Sequence, residues 1–258
     1  MSSSDEEETA PKLKKDHKVP KILKVKDLKE DDRFSDLHDY LPKMPCLALL
    51  IGSVRTGKSN LLVNFFCNND FYKDRFDMVK FISTTLNTDN KGKLLAEFFD
   101  TEDHYEDWMI QAIKEEQSLY ERDERPSYAL VLDDVLTQDF SKNNAVSFFA
   151  TRFRHYLDFF CIATQSFRAV SGMIRNNANA VLICRQQNKL ELDKIAEEYS
   201  SMVGGKDNFF KYYKIIHKEP YQVMYLDLQS NPSRILRNFE EILYIDTDDH
   251  DIDGDELK

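Results

Sequence analysis

Residues 46 to 66 read Cys46-Leu-Ala-Leu-Leu-Ile51, then Gly52-Ser53-Val54-Arg55-Thr56-Gly57-Lys58-Ser59, then Asn60-Leu-Leu-Val-Asn-Phe-Phe66. The first six are an unbroken apolar run of strand length and the last seven suit a helix. Between them lies G-x-x-x-x-G-K-[ST], the signature of a phosphate-binding P-loop. The glycines let the backbone curl so that successive N–H groups point at phosphate oxygens, helped by the positive end of the following helix. Lys58 adds a mobile charge for the β- and γ-oxygens, and Ser59 a hydroxyl for Mg²⁺. The expected nucleotide contacts are Gly52, Ser53, Val54, Arg55, Thr56, Gly57, Lys58, Ser59 and Asn60, with ATP and Mg²⁺ as the cofactors. Arg55 is either a γ-phosphate contact or a solvated loop charge.

A P-loop needs an acid on a neighbouring strand to hold the magnesium. Ala129-Leu-Val-Leu132 ends in Asp133-Asp134. Asp133 is the expected metal partner, and Asp134 then faces the attacking water as general base, with the shorter reach of an aspartate. A capped strand-end turn is the plainer alternative. A further apolar run, Phe159 to Thr164, closes on Gln165, a candidate γ-phosphate sensor that also reads as an ordinary loop amide.

The strand candidates are Cys46–Ile51, Met78–Ser83, Ala129–Leu132, Phe159–Thr164 and Ala180–Cys184, near-continuous apolar runs as expected of strands covered on both faces. Helical patterns fill 58–68, 105–121, 144–156 and 189–201, with Trp108, Ile110, Ile113 and Leu119 on an apolar face of the second. Alternation of this kind marks an α/β protein with a mainly parallel sheet flanked by helices. Past Gly204-Gly205, the segments Phe210–Ile216 and Gln222–Leu228 around Lys218-Glu219-Pro220 read as a C-terminal β-hairpin.

The chain of 258 residues carries 46 acidic against 35 basic side chains, net −11, a balance that disfavours nucleic acid if taken as an average. The charges are segregated, however. Acid gathers at Asp5–Glu8 and Asp246–Glu256, while eight lysines from Lys12 to Lys29 form a basic stretch. The expected organisation is a flexible charged arm over 1–40, a nucleotide-binding domain over 41–245 and a disordered acidic tail over 246–258. Asp249-His-Asp251-Ile-Asp253-Gly254 imitates the opening of an EF-hand loop but lacks the bidentate Glu that loop requires. Four scattered cysteines indicate neither zinc nor disulfides, and Cys46, Cys161 and Cys184 read as small buried hydrophobes. No run is long enough to span a membrane, and the acidic N-terminus is unlike a signal peptide, so an intracellular, soluble protein is expected.

In this order, the P-loop strand, the acidic-pair strand and a strand closing on Gln resemble the RecA-like additional-strand P-loop NTPases of the FtsK/HerA superfamily. The nearest resemblance is to the poxvirus-type genome-packaging ATPases of large DNA viruses and virophages. It also rests on Arg154-His155-Tyr156, Ala163-Thr164-Gln165 and Ile174-Arg175-Asn176-Asn177-Ala178-Asn179, and covers about Leu41 to Arg185. It implies a homo-oligomeric ring, pentamer or hexamer, that hydrolyses ATP at subunit interfaces and drives double-stranded DNA, without reading its sequence, through a capsid vertex or portal component. The implied location is the host cytoplasm, a viral assembly site or the virion. Arg154 inherits the role of a finger acting on a neighbouring subunit's nucleotide, with Arg152 as substitute. Arg175 reads equally as a structural partner of an acidic neighbour or as a nucleotide or interface contact, and Lys12–Lys29 is an accessory DNA contact or a solubilising arm.

Two other functions share these motifs. A helicase or DNA pump of the same superfamily acting on mobile or cellular DNA has nearly the same core. A P-loop small-molecule kinase needs an acceptor pocket and an arginine-rich lid, and the acidic stretch 100–125 disfavours it.

Overall fold

The computed structural model describes residues 32–85, 90–121, 124–135 and 145–245. Their strands are β1 (Cys46–Ile51), β2 (Met78–Ser83), β3 (Asp100–Glu102), β4 (Tyr128–Asp133), β5 (Phe159–Thr164), β6 (Ala180–Ile183), β7 (Met224–Asp227), β8 (Arg234–Arg237) and β9 (Glu241–Ile245). The helices are α1 (Lys58–Cys67), α2 (Asn90–Phe98), α3 (Asp107–Gln117), α4 (Ala145–Ala150), α5 (Gly172–Arg175), α6 (Lys189–Tyr199) and α7 (Lys206–Ile216). Among the described residues the strands form one sheet in the order β3-β2-β4-β5-β1-β6-β7-β8-β9. It is parallel from β3 to β6 and antiparallel from β6 to β9.

β1, β4, β5 and β6 are buried at every position because both faces of the sheet are covered. Leu47, Leu49 and Ile51 of β1 look into one core with residues of α3, α4, α6 and α7. Cys46, Ala48 and Leu50 look into the other, against Leu61, Leu62, Phe65 and Phe66 of α1 and Leu95 of α2. That second core is aromatic: Phe65 and Phe66 meet Tyr72, Phe81, Phe99 and Phe159 edge-on or tilted, geometries that suit the ring quadrupole.

The antiparallel region is present but is built differently from the expected hairpin. Phe210–Ile216, read as a strand, belongs to α7. Phe209, Tyr212, Tyr213 and Ile216 are its buried residues, an i, i+3, i+4, i+7 set that serves a helix better than the weaker alternation does a strand. β7, inside the expected Gln222–Leu228, pairs with β6 and then with β8 and β9. The apolar face assigned to α3 is also corrected: Trp108 and Leu119 are exposed, and Met109, Ile110, Ile113 and Gln117 are buried. The expected helix 144–156 shortens to α4 plus a 3-10 turn at Phe153–His155. β3 was not anticipated, since Asp100-Thr101-Glu102 is polar; Lys80 of β2 holds it, with Nζ 2.9 Å from Asp100 and 3.7 Å from Glu102.

Residues 32–40, counted with the arm in the sequence reading, contain packed side chains. Arg75 donates to both carboxylate oxygens of Asp36 at 2.8 and 2.7 Å, and Leu37 and Tyr40 lie against the aromatic core. The lysine stretch 12–29 and the EF-hand-like tail lie outside the described residues. No described helix is long and apolar enough to cross a membrane.

Asp227 ties the antiparallel part together. It is 3% exposed, accepts from Gln229 N and Ser230 N on one oxygen, and from Ser230 Oγ and from Arg234 Nε and Nη2 on the other. Asp227→Ala strands a mostly buried guanidinium and is expected to remove about 3–5 kcal/mol of stability, measured by urea denaturation. A loss below about 1 kcal/mol would mean that the pair is solvated.

Candidate functional site

The loop after β1 is pinned on both sides. Gly52 N donates to Thr164 O at the end of β5, Ser53 N to Arg185 O after β6, and Cys184 N to Ile51 O. Gly52 has no room for a side chain: a Cβ there would stand 2.6 Å from Cys184 Cβ and 2.7 Å from Thr56 Oγ1. Gly57 opens α1 at φ +113°, a backbone that glycine adopts without strain. Thr56 Oγ1 donates to Ser53 O, and Lys58, 7% exposed, folds its ammonium back onto Gly52 O at 2.9 Å. Burial pushes the Cys184 thiol up to about 12, only partly opposed by Lys58 and Thr56, and the side chain is fully buried in the core on the α1 face.

Register brings the other groups to the same edge of the sheet. β5 lies between β1 and β4, pairing Ile51 with Thr164 and Ala163 with Asp133. Asp133 shares the α1 face with Ala129 and Val131, is 6% exposed, and accepts from Ser83 Oγ at 3.0 Å. Ser59 and Asp133 line one small gap beneath α1 with Ser83 and Thr85. By strand alternation Asp134 would turn to the opposite face. Its backbone is instead left-handed, φ +52°, with its N–H on Ala163 O at 2.9 Å. A non-glycine residue held so costs about 1–3 kcal/mol, and such strain gathers at functional sites. Both carboxylates therefore look toward the P-loop, and Gln165 Nε2 donates to Asp134 Oδ2 at 2.9 Å.

Together these residues line a cleft of about 720 Å³, within the usual range for small-molecule sites. Ser53, Val54, Arg55, Gly57, Lys58, Ser59, Asn60, Asp134 and Gln165 all border it. Asp133 and Thr56 lie just behind. Thr85, Lys91 and Tyr221 also line the cleft and were missed. Thr85 follows β2 in a run of three hydroxyl residues, Ser83-Thr84-Thr85, a local signal that could have been used. Lys91 and Tyr221 arrive through the tertiary fold.

Arg154 stands apart. It is exposed on the 3-10 turn before β5, with its guanidinium 5.9 Å from the Phe153 ring, at the opposite end of that strand from Gln165. Arg152, at the start of the same turn, is exposed too. Arg175 is engaged internally. Nη1 donates to Val170 O, Nε is 3.2 Å from Glu198 without hydrogen-bond alignment, and the guanidinium lies over the Phe167 ring. The segment after Gln165 is anchored by buried Glu191, which accepts from Ser166 Oγ, Arg168 N and Arg168 Nε. Burial raises the Glu191 carboxyl, but those hydrogen bonds outweigh it and leave its pKa lowered.

The fold has solved counterparts. The structure of B204, the DNA-packaging ATPase of Sulfolobus turreted icosahedral virus, superposes with a TM-score of 0.56 at 14% identity, over 75% of this chain and 97% of that one. The chain has the fold of that packaging ATPase. The genome packaging NTPase B204 of Sulfolobus turreted icosahedral virus 2 is similar as well. Its complex with ATP-γ-S matches at TM-score 0.53 and 13% identity, over 75% of this chain and 96% of that one. Its complex with AMPPCP matches at 0.55 and 13%, over 75% and 97%. At such identities the likeness to B204 is one of fold. No protein-family model matches the sequence, and no curated protein sequence is detectably similar to it.

Proposed function

We propose that this chain is an ATP-driven translocase that packages double-stranded DNA into capsids, with ATP hydrolysed at the interfaces of a ring of identical subunits. The observation that carries it is the cleft, where the P-loop, the Asp134 carboxylate and the Gln165 amide converge on one space, with Asp133 and Ser59 on the small gap beside it. The fold shared with B204 of the first virus, described as a DNA-packaging ATPase, and with B204 of the second, described as a genome packaging NTPase and solved with ATP-γ-S and AMPPCP, supports the same reading.

The loop's N–H groups and the start of α1 receive the phosphates, and Lys58 exchanges Gly52 O for the β- and γ-oxygens. Ser59 and Asp133 would hold Mg²⁺. They fit it as hard oxygen donors bordering one gap, and no cluster of three His, Cys, Asp or Glu suited to a metal occurs among the described residues. Phosphates and water would complete the coordination, as is usual for this ion. When bound, Mg²⁺ neutralises charge on the β- and γ-phosphates. Asp134 takes a proton from the attacking water while the Gln165 amide orients its carboxylate. Asp134→Asn keeps the shape but removes the base, so ATP binding is retained and turnover falls by about 10²–10⁴, read by equilibrium binding beside phosphate release. Normal turnover in this variant would remove Asp134 as the base.

The test of the whole reading is ATP hydrolysis by the purified protein with and without long double-stranded DNA at low salt. A grip on the phosphate backbone should stimulate turnover and weaken steeply as salt rises. Hydrolysis indifferent to DNA, from a protein that stays monomeric, would overturn the translocase while leaving the nucleotide site.

A further inference from the structure

We infer that Tyr221 is the platform on which the nucleobase of the bound nucleotide stacks, an inference that rests on the nucleotide reading of the cleft. Sheet order supplies the direction. Asp134, Gln165 and Thr85 follow strands on one side of β1, whereas Tyr221 precedes β7, on the other. The P-loop, at the end of β1, lies between. A triphosphate lying in the loop with its terminal phosphate toward Asp134 and Gln165 runs its nucleoside toward Tyr221.

The ring is suitably presented. Tyr221 is 72% exposed, second only to Leu119 among the large hydrophobic residues that the structure describes, and it borders the cleft directly. Its Cδ1 is 3.7 Å from where a Cβ on Gly57 would lie, so the ring stands beside the start of α1. Its backbone is left-handed at φ +62°, an uncommon state for a bulky side chain. The chain beyond it is pinned: Gln222 Oε1 accepts from Asn238 Nδ2 at 2.6 Å, and Val223 N donates to Asn238 Oδ1 at 3.0 Å. An exposed aromatic on fixed backbone offers a flat face at small entropic expense. Stacking tolerates any base, so Tyr221 adds affinity for nucleosides over bare phosphates without selecting among bases.

The experiment compares binding of ATP and of inorganic tripolyphosphate to the full chain, its Tyr221→Asn variant and its Tyr221→Phe variant. Asparagine removes the ring and tolerates the left-handed backbone, so the fold should survive, and circular dichroism checks this. The expected result is about 10-fold weaker ATP binding for Tyr221→Asn, unchanged tripolyphosphate binding, and near-normal behaviour of Tyr221→Phe. Unchanged ATP affinity in the Asn variant overturns the inference and leaves the nucleotide site intact. An equal loss for ATP and tripolyphosphate also overturns it, since the ring would then merely support the loop. A parent protein that binds neither ligand removes the nucleotide reading itself.

Discussion

Lys58→Ala is expected to abolish nucleotide-dependent activity, lowering ATP hydrolysis by at least about 10²–10³-fold and weakening ATP binding with it. The lysine is buried at the base of the cleft, and its ammonium donates to Gly52 O, within its own loop. The charge is therefore stored where phosphates would lie, and only a short rearrangement separates it from the β- and γ-oxygens. Alanine removes that charge without touching the glycines that shape the loop, so folding should be little affected. Phosphate release and ATP titration, alongside a thermal melt, measure all three. Hydrolysis within tenfold of the parent would mean that the loop does not hold the reacting phosphates.

Arg154→Ala is expected to leave ATP binding intact and reduce hydrolysis by about 10³–10⁵-fold, the range for a finger that stabilises charge on a transferring phosphoryl group. Its position in the fold motivates the wording. Arg154 lies before β5, and Gln165 follows that strand, whose six residues span about 20 Å. The arginine cannot cross that length to its own cleft, so any contact must be with a neighbour's. Activity should return in part when Arg154→Ala and Lys58→Ala proteins are mixed, because some interfaces then combine an intact Lys58 with an intact Arg154. No recovery in mixed oligomers that do assemble would count against a finger between subunits.

The two arginines near the expected sensor illustrate how far residue type alone carries. Both Arg154 and Arg175 sit in stretches that carry the family resemblance. Only the structure separates them: Arg154 is exposed, while Arg175 is occupied by Val170 O, Glu198 and the Phe167 ring. Arg175 therefore acts as an internal strut.

β1, β4 and β5, the glycine turn and the acidic pair were legible because each is written in consecutive residues: apolar runs, a fixed spacing, a strand-end doublet. The helix at Lys206–Ile216 was misread because a segment with several aromatics satisfies a period of two and a period of 3.6 at once. Only burial on one side selects between them. The polar edge strand β3 had no apolar signal at all and exists because Lys80 and the edge of β2 receive it.

From local pattern alone, then, come the P-loop, the carboxylates and the α/β class, since those depend on neighbours along the chain. The placing of β5 between β1 and β4 was expected only through the resemblance to additional-strand NTPases and not from local pattern; it, the left-handed turn that re-aims Asp134, and the presence of Tyr221 and Lys91 at the cleft rest on tertiary structure. Each depends on segments far apart in sequence meeting at one edge of the sheet. No local spacing encodes such a meeting; it follows from strand order and register, set when both faces of the sheet are buried together.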